Sequence, residues 1–318
     1  MGVKFHLPEF ARFAKLNMVF LAMLENSPEF FRDGVEIGSL FGVFPPAVWN
    51  GGRVMYGSCD KKYIKGIIKY FNDRGISIRF TFTNPMIEEK HLNDQFCNSL
   101  LYYANNPLNG CIVYSPLLEE YIRRNFPDYK ITSSTCKRIT DVASLTGELE
   151  KDYYLVVLDY DLKNKFDILE KLPHKEKCEI LVNPCCNPAC QNRSDHYKVI
   201  GLEQIAIAEH IKKNIGVPYD PDKFASEHQE YKNVLSCRCE HRGIDDIMNM
   251  NTHVSPDDIW NKYVPMGYSN FKIEGRTFDI FNIIEQYLYY MIKPEYIRKA
   301  RLAFMRNLRK NGVINIAE

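Results

Sequence analysis

Along this chain, short runs of β-branched and aromatic residues alternate with stretches in which apolar side chains recur every three or four positions. The first kind of run reads as a buried strand and the second as a helix with one apolar face. Eight strand candidates stand out, at residues 4–10, 35–41, 76–83, 111–114, 129–134, 154–160, 178–183 and 268–274. Between them, residues 61–72 carry Ile64, Ile67, Ile68 and Phe71 on one helical face, and residues 92–104, 117–125, 165–172 and 202–213 repeat the pattern. Strand followed by helix, eight times in 318 residues, predicts an α/β fold: a TIM-like (β/α)8 barrel in a single domain over residues 1–318. An open doubly wound sheet is the competing architecture, and no early Gly-x-Gly-x-x-Gly turn supports it.

Two stretches depart from this rhythm. Residues 214–255 are polar, contain Pro218 and Pro221 and show no clear period, so they read as a long insertion before the last strand. Loops of that length inside a compact domain are usually functional or disordered, and the thiols carried here favour function. Residues 293–318 read as a C-terminal helical extension, with seven basic residues between 293 and 310 interleaved with Ile297, Leu302, Phe304, Met305 and Leu308. A terminal helix packed on the barrel explains the pattern; a face for RNA or anionic lipid is the alternative.

Charge and composition narrow the choice of partners. With 41 basic and 40 acidic residues the net charge is +1, so no global field points to nucleic acid or a membrane surface. The apolar run at residues 18–24 is far shorter than the roughly 20 residues that cross a bilayer, and the N-terminus lacks a signal-type stretch. No membrane span and a cytoplasmic location are therefore expected. In a reducing cytosol, ten cysteines are expected to be buried thiols or metal ligands rather than disulfides.

Those cysteines are unevenly distributed. Cys185, Cys186 and Cys190 follow the seventh strand, and Cys237 and Cys239 lie in the insertion. In a barrel of this type the active site sits at the carboxyl ends of the strands, which places the first three thiols on that face. Thiolates converging from two segments are what zinc or an iron–sulfur cluster requires. Cys186, Cys190, Cys237 and Cys239 are the expected ligands, with Cys185 the alternate. Neither pair has the Cys-x-x-Cys spacing of a zinc ribbon, which favours a cluster over zinc. The plainer alternative is that each behaves as a small buried hydrophobe, as expected for Cys97 and Cys111. Arg193 and His196 follow closely, and a cation there would favour thiolate.

Other polar residues sit where strands should end. Glu36, flanked by apolar neighbours in the second strand, is expected to be buried, either as a general acid or base or within a core ion pair. Lys272, Glu274 and Arg276 alternate, so they share one side of the last strand and point toward the barrel interior or its mouth. They either pair with neighbouring strands or, in the case of Arg276, bind an anionic substrate group. The loop at residues 45–53, with Trp49, Asn50, Gly51, Gly52 and Arg53, suits the lining of a pocket. Asn84, Ser115, Ser133, Ser134, Thr135, Asp159 and Asp161 are each a helix cap or a substrate contact. No Gly-x-Ser-x-Gly elbow and no His-Glu-x-x-His sequence is present.

Near the C-terminus, Ser255-Pro-Asp-Asp-Ile259 is followed by Pro265-Met-Gly-Tyr-Ser-Asn-Phe-Lys-Ile-Glu-Gly-Arg276 and a tyrosine-rich helical stretch at 280–292 with Tyr287, Tyr289 and Tyr290. This succession resembles the end of the U-32 peptidase (collagenase-like) family, which includes iron–sulfur hydroxylation proteins, and one branch has a pair similar to Cys186 and Cys190. The resemblance implies a TIM-like barrel and, in several members, an oxygen-sensitive 4Fe-4S cluster held by cysteines. It further implies anaerobic hydroxylation or other modification of a small molecule or an RNA base, with an electron donor or partner subunit in some systems. Glu36, Lys272 and Arg276 are then the candidate catalytic residues. Two other expectations stand beside it: a barrel with a structural zinc site acting as an RNA- or protein-binding module, and a metal-independent peptidase of the kind the family name suggests.

Overall fold

A computed structural model describes residues 2–275 and 279–315. Eight strands run in parallel and close on themselves in chain order: β1 (Val3–Pro8), β2 (Val35–Gly42), β3 (Ser77–Phe82), β4 (Gly110–Val113), β5 (Lys130–Ser133), β6 (Leu155–Val157), β7 (Cys178–Leu181) and β8 (Asn270–Lys272). Closure is made by β1 against β8, in register at Lys4 with Asn270, Phe5 with Phe271 and His6 with Lys272. The chain is thus a (β/α)8 barrel, and every strand lies within or beside the run that predicts it.

Six of the strands are shorter than their predicted runs, and after some of them the reason is local. After β6, the Asp159 carboxylate accepts the Asp161 N–H at 2.8 Å and bends the chain into a single 3-10 turn, Tyr160–Leu162. A short polar side chain that satisfies a nearby backbone donor competes with continued strand pairing. Ser115 and Ser134 act similarly, each accepting a backbone N–H at the start of the following helical turn. These are the caps anticipated for such strand-end residues.

Strand alternation sorts the side chains. Phe5, Leu7, Ile78, Phe80, Phe82, Cys111, Val113, Ile180, Phe271 and Ile273 are buried beneath the surrounding helices. The helix Lys61–Asn72, whose Asp60 cap accepts the Tyr63 N–H at 2.8 Å, contributes Ile64, Ile67, Ile68 and Phe71 to that layer. Burying each such side chain stabilises the fold by about 1.5–3 kcal/mol. The opposite set of positions, facing the barrel axis, includes His6, Ser39, Arg79, Glu179, Asn270 and Lys272, all buried. Barrels of this type usually fill that space with branched aliphatic residues; here part of it is charged.

Two expectations need correction. The helical pattern at residues 202–213 is only the second half of a helix that spans Arg193–Lys213. Its first half carries no single apolar stripe because it is covered on both sides: Gly201 and Gln204 face the barrel loops, while Val199 packs with Phe224 and Val234 of the insertion. A helix sandwiched between two layers loses its amphipathic period. Glu36, expected to be buried, is exposed. It is the second residue of β2, at the amino end of the barrel, whereas burial in that strand begins at Ser39.

The insertion is built of short helices, Pro221–Glu227, Lys232–Leu235 and Ile244–Met248. The C-terminal helix Ile297–Lys310 buries Ala300, Phe304 and Leu308 and turns its basic residues outward, with Arg301 paired to Glu285 at 2.6 Å. No helix among the described residues is long and apolar enough to cross a membrane.

Candidate active site at the barrel mouth

At the carboxyl ends of the strands a cavity opens that encloses ≈ 620 Å³, counting the part open to solvent. Its walls are Phe41, Ile112, Val157 and Leu181; hydroxyls come from Thr81, Thr83, Ser134, Thr135, Tyr160 and Tyr197, and charge from Arg53, Lys272 and Glu274. A mostly apolar well with a few convergent polar groups is the usual form of a small-molecule site. Gly51, Gly52 and Arg53 line it as the loop composition suggests, while Trp49 and Asn50 are buried supports: the Trp49 indole donates to the His91 carbonyl at 2.8 Å, and Asn50 donates to the Arg53 carbonyl at 2.8 Å.

The floor of the well is a charged layer that sequence reading did not assemble. Glu179, fully buried, meets Arg79 at 2.6 Å, Lys272 at 3.3 Å and His6 at 3.6 Å. Burial alone would raise the Glu179 carboxyl, but Arg79 and then Lys272 hold it far below the usual carboxylate range. Arg79 donates to Ser39 at 2.8 Å, and the Ser39 hydroxyl lies 2.8 Å from His6 Nδ1. Asn270 donates its amide N–H to the Glu176 carbonyl, so its oxygen, 3.2 Å from His6 Nε2, must accept. That chain of donors fixes His6 as the neutral Nε2–H tautomer. Burial, reinforced by Arg79, agrees with this by bringing His6 down to about 3.

Lys272 lies at the junction of floor and well. Its ammonium is 3.8 Å from the centre of the Phe41 ring, and it lines the cavity. Burial, opposed by Glu179 and reinforced by Arg79, lowers it to about 8. Of the two readings for the alternating charges of the last strand, pairing with a neighbouring strand holds for Lys272 through Glu179. Glu274 instead accepts the Cys185 backbone N–H at 2.6 Å and is fixed by Asn183, whose side-chain oxygen accepts the Glu274 N–H at 2.7 Å. Arg276 lies outside the described residues. Asn84, buried, donates to the carbonyls of Val48 and Gly201 and so ties loops together rather than facing the well.

The cysteine segments meet on the rim. Cys186 is buried against Tyr160 and Leu181, both of which line the well, and Cys190 packs on the same group. Cys239 accepts the Asn187 backbone N–H and hydrogen-bonds Cys237; burial, and then Cys237, raises its thiol. Arg242 clamps the two segments, donating to the Cys185 carbonyl at 2.6 Å and to Asn187 Oδ1 at 2.7 Å. Arg193 is buried, stacks on Tyr160 with its guanidinium carbon 3.9 Å from the ring centre, and pairs with Asp159 and Asp161 at 3.1 Å each. Its charge also acts on Cys186, as expected from their spacing. Thiols are the donor type that soft metals take. The four thiols form two neighbouring pairs; among the described residues no three His, Cys, Asp or Glu side chains surround a common point.

Sequence comparison finds no match for this chain among family models or curated proteins. Among solved structures, the chain is similar to one described as a U32 peptidase. The superposition covers 86% of this chain and 94% of that one, with a TM-score of 0.47 and 14% sequence identity.

His6, Arg79 and Glu179 are the site residues that pattern reading missed. Their signal is present in the sequence: each is a polar residue that alternates with apolar ones along its strand, as Lys272 alternates with Phe271 and Ile273. Such residues require partners, and only the closed barrel shows that they partner one another.

Proposed function

We propose that this protein is an enzyme that modifies a small molecule held in the mouth of the barrel, and that the cysteine rim carries an iron–sulfur cluster. The observation that supports the reading is the meeting of two remote thiol segments beside the well, with Cys239 on the Asn187 backbone and Cys186 against Tyr160 and Leu181. Cys186, Cys190, Cys237 and Cys239 would hold the cluster, with Cys185 as alternate. When bound, such a group supplies an iron site for ligand binding or for electron transfer from a donor protein.

The chain's own residues prepare the rest. Arg193, anchored on Asp159 and Asp161, places positive charge beside Cys186 and favours thiolate there. Arg242 holds the insertion against the cysteine turn. Phe41, Ile112, Val157 and Leu181 give the well an apolar wall, and the hydroxyl oxygens of Thr81, Thr83, Ser134 and Thr135 would accept from a polar ligand. Lys272 supplies an amine able to hold or release a proton near neutral pH.

Anaerobic purification followed by iron and acid-labile sulfide analysis tests the proposal. It expects about four irons per chain for a 4Fe-4S cluster, a broad visible absorption, and loss of both in Cys186→Ser and Cys239→Ser. Stoichiometric zinc without iron would assign the thiols to a structural metal instead, and metal-free protein with unchanged fold would overturn the cofactor altogether.

A further inference from the structure

The group in the well whose chemistry is least explained by scaffolding is Lys272. We infer that Lys272 is an imine-forming amine, and that the well takes a small hydroxylated aldehyde or ketone whose carbonyl carbon it captures. The inference rests on the mouth cavity being the ligand site and is independent of any metal.

Four features of the structure converge on it. Lys272 ends the last strand and lines the well, so a carbonyl entering from the loop side meets its amine. Phe41 covers one flank of the ammonium at 3.8 Å, which removes water from that side. Arg79 and Lys272 share the single carboxylate of Glu179, at 2.6 Å and 3.3 Å, so two cations compete for one anion. A lysine desolvated against an apolar wall beside a second cation is the setting in which an amine becomes nucleophilic near neutral pH. Last, the lining includes the hydroxyl residues Thr81, Thr83, Ser134, Thr135, Tyr160 and Tyr197; Thr81 and Thr135 donate to Asn50 and to the Leu158 carbonyl, which leaves their oxygens to accept from the hydroxyls of a sugar-like ligand. Tyr160 and Tyr197 are themselves hydrogen-bonded at 2.9 Å, a pair able to pass a proton.

The step is a condensation. The neutral amine donates its lone pair to the carbonyl carbon, forming the C–N bond while the C=O π pair moves onto oxygen. That oxygen takes up protons and leaves as water, and the nitrogen pair closes the C=N bond. Amine plus carbonyl gives imine plus water, with no oxidant or reductant. Glu179 remains beneath the nitrogen and offsets the charge of the protonated imine. The other groups facing this amine are Arg79 and His6 in the floor, Cys136 beside it, and Arg53 and Glu274 in the wall.

Reductive trapping tests this on the full chain, with and without metal. The protein is incubated with equimolar glyceraldehyde and cyanoborohydride, and intact and peptide masses are recorded. The expected result is one adduct, heavier by the aldehyde less one oxygen atom, mapped to Lys272, at least ten times more abundant than on any exposed lysine and absent from Lys272→Arg. Pyruvate serves as a second probe, and a stronger signal with it would keep the amine chemistry but replace the hydroxylated ligand with a keto acid. Label spread over exposed lysines, with Lys272 unmodified in the wild-type protein, would overturn the inference even if the variant failed to fold. Labelling of metal-free protein would leave it standing should the iron analysis fail.

Discussion

Replacing Glu179 with Gln removes the anion that His6, Arg79 and Lys272 share while keeping nearly the same volume. Arg79 is 1% exposed and does not reach water when its partner is lost, whereas Lys272, 8% exposed, touches the well. Breaking a buried ion pair from one side typically costs about 3–5 kcal/mol, because an uncompensated charge remains. Two cations depend on Glu179, but Lys272 escapes part of the penalty by releasing its proton, so the lower half of that range is expected. Urea unfolding followed by the fluorescence of Trp49 and Trp260 would show this as a lower midpoint at unchanged slope. The second readout is chemical: without Glu179, the influence that keeps Lys272 charged is gone, and its titration moves further down from about 8. The double change Glu179→Gln with Arg79→Gln should cost less than the sum of the two single changes. A loss below about 1 kcal/mol for Glu179→Gln, the range of an exposed pair, would refute the claim that the Arg79–Glu179 pair is shut off from solvent.

Other outcomes follow from the same geometry. Burial lowers both His6, to about 3, and His253, to about 4, so each is neutral when folded and takes up a proton more readily when unfolded. Stability should therefore be full above about pH 6.5 and fall as pH drops below it, and His6→Gln should flatten the slope between pH 6.5 and 4.5 in pH-dependent urea melts. At Gly201, a Cβ would overlap the Asn84 side-chain oxygen; Gly201→Ala is expected to destabilise by about 1–3 kcal/mol despite lying in a helix, measured by thermal unfolding. Arg193→Met should leave Asp159 unpaired and loosen the cysteine turn, visible as faster amide exchange at residues 185–192 with the exchange of β1 to β4 unchanged. Chelator treatment of anaerobically purified protein should raise exchange in residues 214–255 more than in the strands.

The barrel was legible because its outward strand faces are continuously apolar and its helices, such as Lys61–Asn72, cover it with one stripe each. The helix Arg193–Lys213 was legible only in its second half, since the insertion buries the other face of the first. At the site, Lys272 and the thiol segments were found from spacing, and the well lies where strand ends predict. Glu36 misled because apolar neighbours imply burial only where the strand is inside the barrel, and its end of β2 is not. The partnership of His6, Arg79, Glu179 and Lys272 joins strands from both ends of the chain, and no local pattern encodes which inward charges share a level.

The buried ionic layer also separates two kinds of change open to this molecule over time. Side chains above it, on the threonines and serines of the well, can be exchanged to suit a new ligand without touching the groups that keep the cylinder closed. A change within the layer alters foldability and amine reactivity together. Ligand preference in proteins built this way should therefore drift at the rim while the interior ions stay fixed.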